Sequence, residues 1–247
     1  MKASAIEFRL RMFINMAIVI VGFFAPWTAR LGPGQRMPLL EWLPLELSRL
    51  GLIEFTVASP LVNVLAGVLA AIGAGLRVWG TAWLGPATVQ NLEMKAGEVV
   101  ADGPYRYVRN PLYLGLWFML VALGFLMPPT GTLFTMVLSA VFMLRLILGE
   151  EAFLAGQLGQ PYLNYINAVP RLIPRLRTTL PRSGRKAHWL RAVLSEISPI
   201  GIFIALAFVS WSYNRLLMAR VIIVGFGISV VVRAFMPRIS KDSGLTE

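Results

Sequence analysis

The chain has 247 residues, of which 57% are hydrophobic and only 14% charged, with a mean hydropathy of +0.68. This excludes an ordinary soluble domain, because the apolar residues come as uncharged runs long enough to cross a hydrocarbon layer of roughly 30 Å. The absence of cysteine excludes disulfides, thiolate catalysis and cysteine-based metal sites, and no metal site is expected. The net charge of +11 collects in segments flanking the apolar runs, a pattern of membrane topology and anionic-lipid contact; no nucleic-acid module is visible.

In chain order, Lys2, Arg9 and Arg11 precede an apolar run from Met12 to Ala29. It resembles a signal peptide, but no small-residue cleavage site follows and the run ends in Pro26-Trp27, so it reads as a retained first helix. The loop from Arg30 to Glu54 balances three arginines against three glutamates and faces outward by the positive-inside rule. A second span covers Phe55 to Leu76. The polar stretch from Gly80 to Asp102, with Gln90, Asn91, Glu93, Lys95 and Glu98, reads as a cytoplasmic connection.

The long uncharged run from Asn110 to Leu144 is broken by Met127-Pro128-Pro129-Thr130-Gly131, where proline lacks a donor and clashes with the preceding turn. A helical hairpin over 110–148 follows, with arms of about 17 residues, near the lower limit for spanning a bilayer. Ile197 to Asn214 and a segment near Leu216 to Val232, with Arg220 and Arg233 snorkelling to the interfaces, complete the count. The pattern predicts an all-α polytopic bundle of about six transmembrane helices, one domain over 1–247, with both termini cytoplasmic.

The chemistry concentrates in GPYRYVRNPLYLG from Gly103 to Gly115, then Glu150-Glu151, then the tyrosines Tyr162 and Tyr165, then VPRLIP from Val169 to Pro174. Ionisable groups beside a bilayer are costly and usually mark function. Folding of the hairpin brings the acidic pair, at the end of the fourth span, near the first motif. Two adjacent acids are a poor choice merely for anchoring to an anionic leaflet. Simpler roles suit some neighbours: Arg106 as a snorkelling residue, Tyr107 in an aromatic belt, Gly103-Pro104 as a turn and Gly115 as a close backbone approach.

Taken together, and with LRVW at Leu76 to Trp79 and Leu84-Gly85, these motifs resemble the isoprenylcysteine carboxyl methyltransferase and phospholipid methyltransferase superfamily. The resemblance covers residues 76–174 and leaves 175–247 as a basic segment plus a C-terminal helical extension. It implies an integral membrane enzyme that moves a methyl group from S-adenosylmethionine to a lipophilic acceptor entering from the bilayer. Its motifs map cofactor binding onto Tyr105, Arg109, Asn110, Pro111, Tyr113, Gly115, Glu150 and Glu151, and Glu150, Glu151 and Arg171 are the catalytic candidates. The chemistry of the donor agrees, since an acid suits the ribose or ammonium, an arginine the carboxylate and tyrosine faces the sulfonium. No Rossmann domain is expected: Gly73-Ala74-Gly75 lies inside an apolar span as a packing site.

Two positions depart from the family. Where Arg-His-Pro is most often found, this chain has Arg109-Asn110-Pro111, and its only histidine, His188, lies in the basic segment, so no histidine base is evident. Where the eukaryotic carboxyl methyltransferases place a basic residue before Val-Pro, this chain has Ala168. Arg171 reads equally as a group near the acceptor or as the start of the segment 171–191, whose seven basic residues and no acids suit anionic headgroups. The acceptor is open between an isoprenylcysteine-like carboxylate and a phospholipid amine. Two other readings remain: a membrane NADPH-dependent reductase of the sterol type, and a catalytically silent lipid-binding protein.

Overall fold

A computed structural model describes residues 2–24, 37–85, 99–178, 180–181, 186–212 and 215–235. Among the described residues all regular structure is helical. The order is α1 (Ala5–Arg9), α2 (Arg11–Phe23), α3 (Leu39–Arg49), α4 (Phe55–Leu84), a 3-10 turn (Gly103–Arg106), α5 (Pro111–Gly124), α6 (Pro129–Leu158), α7 (Gln160–Ala168), α8 (Trp189–Ser195), α9 (Ile197–Ser212) and α10 (Arg215–Phe235).

The centre of the bundle is α4, and its sequence says why. Ala58, Val62, Ala66, Ala70 and Ala74 recur every four residues, share one face and are all buried. In a bilayer, helices associate by close packing rather than by hydrophobic exclusion, and small side chains permit it. Against this helix lie α3, α5 and α9, with α10 packed in turn on α9. Contact is tightest between α4 and α5, where a Cβ on Gly115 would stand 2.8 Å from the carbonyl oxygen of Gly73 and 2.9 Å from Cγ of Arg77. Gly115→Leu is therefore expected to destabilise the protein by about 1–3 kcal/mol through overpacking. An unchanged thermal midpoint in detergent would show that the two helices part freely.

The hairpin forms where proline demands it. Pro129 sits at the first position of α6, where a missing N–H leaves nothing unsatisfied. The corner is fastened by the Thr132 hydroxyl, which donates to the Gly124 carbonyl at 2.6 Å. The N–H groups of Leu39 and Leu40, at the start of α3, donate to Met127 and Phe125 at 2.8 and 2.9 Å. The free donors of one helix start thus satisfy the corner's carbonyls.

Two helices, α4 and α6, are long and apolar enough to cross a membrane; the bent pair α8–α9, which turns by 68°, makes a third if counted as one span. Exposed Leu61, Val64, Leu65 and Val68 on α4, and Leu133, Val137 and Val141 on α6, form the lipid-facing surface such a protein presents. Arg11–Phe23, Pro111–Gly124 and Arg220–Val232 are shorter apolar helices, so of about six expected spans two or three have full length. The 14 residues of α5 reach only about 21 Å. The expected first span, to Ala29, runs past the described residues, and its helix ends at Phe23. The expected fourth span ends near Leu144, yet α6 continues unbroken to Leu158, so the acidic pair lies inside a helix rather than at its end. No proline follows Leu144 before Pro161, so Gly149 and Gly156 are carried inside the helix, and glutamates propagate it well.

Candidate functional site

Pro104 opens the 3-10 turn and Asn110-Pro111 the following helix, so Arg109, Asn110 and Tyr113 stand at the N-terminal end of α5. Beyond α6, Gly159 takes a φ of +60°, a left-handed conformation that suits glycine and turns the chain into α7. From α7 the Tyr165 hydroxyl donates to the Tyr105 carbonyl at 2.8 Å. The segment after α7 then runs beside the first motif: Arg109 N–H donates to Pro170 at 2.9 Å and Arg175 N–H to Tyr107 at 3.0 Å.

These connections converge on Glu151. Its Oε1 accepts from Asn110 Nδ2 at 3.1 Å and lies 3.2 Å from Arg109 Nη1. Its Oε2 accepts from Arg171 Nε and Nη2 at 3.0 and 2.8 Å. Asn110 Nδ2 also donates to the Arg171 carbonyl at 3.2 Å. The neighbouring Glu150 accepts from the Tyr113 hydroxyl at 2.8 Å. One carboxylate, Glu151, thus faces two guanidiniums while Glu150 faces a phenol, and the cluster joins α6 to the start of α5 and to the segment after α7. Side-chain exposure is 10% for Glu151 and 11% for Arg109, but 40% for Arg171, so the inner pair is shielded and the outer arginine is open. The hydrogen bonds to Glu151 hold the Arg171 guanidinium charged beyond its ordinary range. Burial pushes the phenols of Tyr105, Tyr162 and Tyr165 up, which keeps all three protonated near neutrality.

Of the residues nominated by sequence, Arg109, Asn110, Tyr113, Glu150, Glu151 and Arg171 come together. Tyr105 is buried and directs its hydroxyl toward α4 near Gly80, where it finds no protein partner; Arg109 Nε is also buried and unpartnered. Pro111 is buried at the helix start and Gly115 lies against Gly73, so these two support the site from behind. Arg106 does not snorkel: it donates to the Leu180 carbonyl, at 3.1 Å from Nε. Tyr107 packs on Trp79, with ring centroids 6.2 Å apart. The backbone N–H of His188 donates to Ala82 at 2.8 Å.

Sequence reasoning misses two ion pairs. Arg77 meets Glu196 at 2.6 Å through Nε and 3.0 Å through Nη2, and the Thr81 hydroxyl joins at 2.8 Å. Arg145 meets Glu7 at 2.8 Å, while Ala3 N–H donates to the Arg145 carbonyl at 3.0 Å, so the N-terminal segment lies along α6 just before the acidic pair. The signal was present in each case: a lone charge interrupting an apolar run, as Arg77 and Arg145 do, implies a partner of opposite charge.

Residues 61–160 match the family model of the phospholipid methyltransferases. The match falls within the superfamily that the motifs resemble, and it takes in most of α4, all of α5 and both acids, while Arg171 lies beyond it. No curated protein and no solved structure shows a significant match to the chain.

Proposed function

We propose, from the phospholipid methyltransferase segment of this integral membrane protein, that the chain transfers a methyl group from S-adenosylmethionine to a lipophilic acceptor at the cytoplasmic membrane face. The observation that carries the reading is the convergence of Arg109, Asn110, Tyr113 and Arg171 on the adjacent Glu150 and Glu151.

The residues present fit the donor. When bound, S-adenosylmethionine supplies an electrophilic methyl on a sulfonium centre. Glu151 already has three partners and acts as the organiser that holds α5, α6 and the segment after α7 in register. Glu150, fixed by one hydrogen bond from Tyr113, is the acid with capacity left for an ammonium or ribose hydroxyls. The unpartnered Nε of Arg109 is a buried donor suited to a carboxylate. Asn110 cannot titrate and is engaged twice, so its work is positional and rate enhancement rests on orientation and exclusion of water. The acceptor is an isoprenylcysteine-like carboxylate or a phospholipid amine, approaching laterally from the bilayer.

Calorimetry on detergent-purified protein tests this with S-adenosylmethionine, its demethylated product and NADPH. Binding of donor and product is expected, with affinity reduced about tenfold or more in Glu150→Gln, the loss of one charged hydrogen bond. Binding of NADPH alone would move the assignment to a reductase, and binding of none to a lipid-binding relative without catalysis.

A further inference from the structure

The segment that carries Arg171 has two sides with opposite character. Inward, its backbone is tied to the first motif through Arg109 to Pro170 and Arg175 to Tyr107, and the Arg171 side chain grips Glu151. Outward, Ile173 is 83% and Leu176 96% exposed, and Arg175 and Arg177 between and beside them are exposed too. Leu176 is the most exposed large apolar residue described, and it sits in a loop rather than on a lipid-facing helix. An extended strip of alternating arginine and aliphatic side chains has one natural counterpart in a membrane protein. The aliphatic groups enter the acyl boundary, the guanidiniums stay with phosphates, and the absence of any acid from 171 to 191 makes that counterpart anionic.

We propose that Ile173–Arg177 is a wedge that seats in an anionic leaflet, and that its seating sets Arg171 against Glu151 and so completes the candidate site. The second half rests on the methyltransferase reading; the first does not. Physically, Pro174 stiffens the strip, so insertion of Ile173 and Leu176 restrains Arg171 only two residues away. Arg171, the half-exposed member of the Glu151 cluster, is then held from both sides. Without an anionic surface the strip is free to lift, and the cluster keeps only its inner arginine.

The chain has no cysteine, so Leu176→Cys carries the only thiol and takes a nitroxide label cleanly. The full-length labelled protein is placed in nanodiscs of phosphatidylcholine alone and of phosphatidylcholine with phosphatidylglycerol, and collision with oxygen and with a water-soluble nickel chelate reports depth. The expected result is a label shielded from nickel in the anionic discs and exposed to it in the neutral ones. A label open to water in both, or equally buried in both, overturns the anionic wedge. The coupling is read separately, as S-adenosylmethionine affinity in the two discs. The wild-type protein is expected to bind on the order of tenfold more tightly in anionic discs, and Arg175→Gln/Arg177→Gln to lose that difference, given roughly fivefold per interfacial arginine. Equal affinity in both discs with a buried label overturns the coupling and leaves the wedge. Failure of donor binding in every disc instead marks failure of the methyltransferase reading, with the label data still legible.

Discussion

Glu151→Gln is expected to lower donor affinity by about a hundredfold and to loosen the segment from Pro170 to Arg175, a larger effect than any other single change in the cluster. The carboxylate takes donors from Asn110 and Arg171 and neutralises Arg109 at 3.2 Å. Glutamine keeps the shape but removes the charge and turns one acceptor oxygen into a donor that faces a guanidinium. Arg109, 11% exposed, is then a buried cation without a counter-charge, a change that costs about 3 kcal/mol or more. Arg171, 40% exposed, is screened by its surroundings and adds little on its own. The stability loss should therefore be shared with Arg109→Met, and the Glu151→Gln/Arg109→Met double variant should be no less stable than either single one. Additive losses in that cycle would mean that the two residues do not act as a pair.

The second large effect lies outside the family-matched segment. Glu196→Ala is expected to destabilise the protein by about 3–5 kcal/mol, because it strands Arg77 inside the bundle. Glu196 has a side chain 2% exposed, stands at the break between α8 and α9, and accepts from both Arg77 and Thr81. Removing both charges should behave differently. A buried ion pair replaced by apolar groups of similar volume is often neutral, so Arg77→Met/Glu196→Leu is expected to recover most of the thermal midpoint lost by Glu196→Ala. The readout is thermal unfolding in detergent. A double variant as unstable as the single one would show that the carboxylate holds the bend through Thr81 and not through charge.

This second prediction bears on how the C-terminal helices join the rest. Ala205 and Leu206 of α9 enter the same core as Ala66, Ala70 and Met119 of α4 and α5. Around this core the Arg77–Glu196 pair acts as a register pin: it fixes where along α4 the bend is placed. Since Arg77 also lines the contact at Gly115, displacement of the C-terminal helices would reach the helix that carries Asn110 and Tyr113.

Much of this molecule is local in origin and was open to reading in one dimension. Uncharged runs locate α4, α9 and α10, and the Pro128-Pro129 pair places the hairpin corner, because helix formation and its interruption by proline depend on near neighbours only. Co-occurring motifs pointed to residues that the fold gathers, the acids with Arg109, Asn110 and Tyr113, and to the segment that matches the phospholipid methyltransferase model. Other features had no local signature. Helix propensity does not say whether α6 stops at Gly149 or passes it, so its extension past the acids follows from packing. The division of labour between Glu150 and Glu151 is decided by which face of α6 meets α5 and the segment after α7, a matter of helix rotation and not of composition. Arg171 reads as a lipid-facing cation until the turn at Gly159 and the Tyr165 to Tyr105 bond bring its segment back onto Glu151. Glu196 and Arg77, 119 residues apart in the chain, find each other because a buried charge needs a partner, and only three-dimensional packing chooses which one.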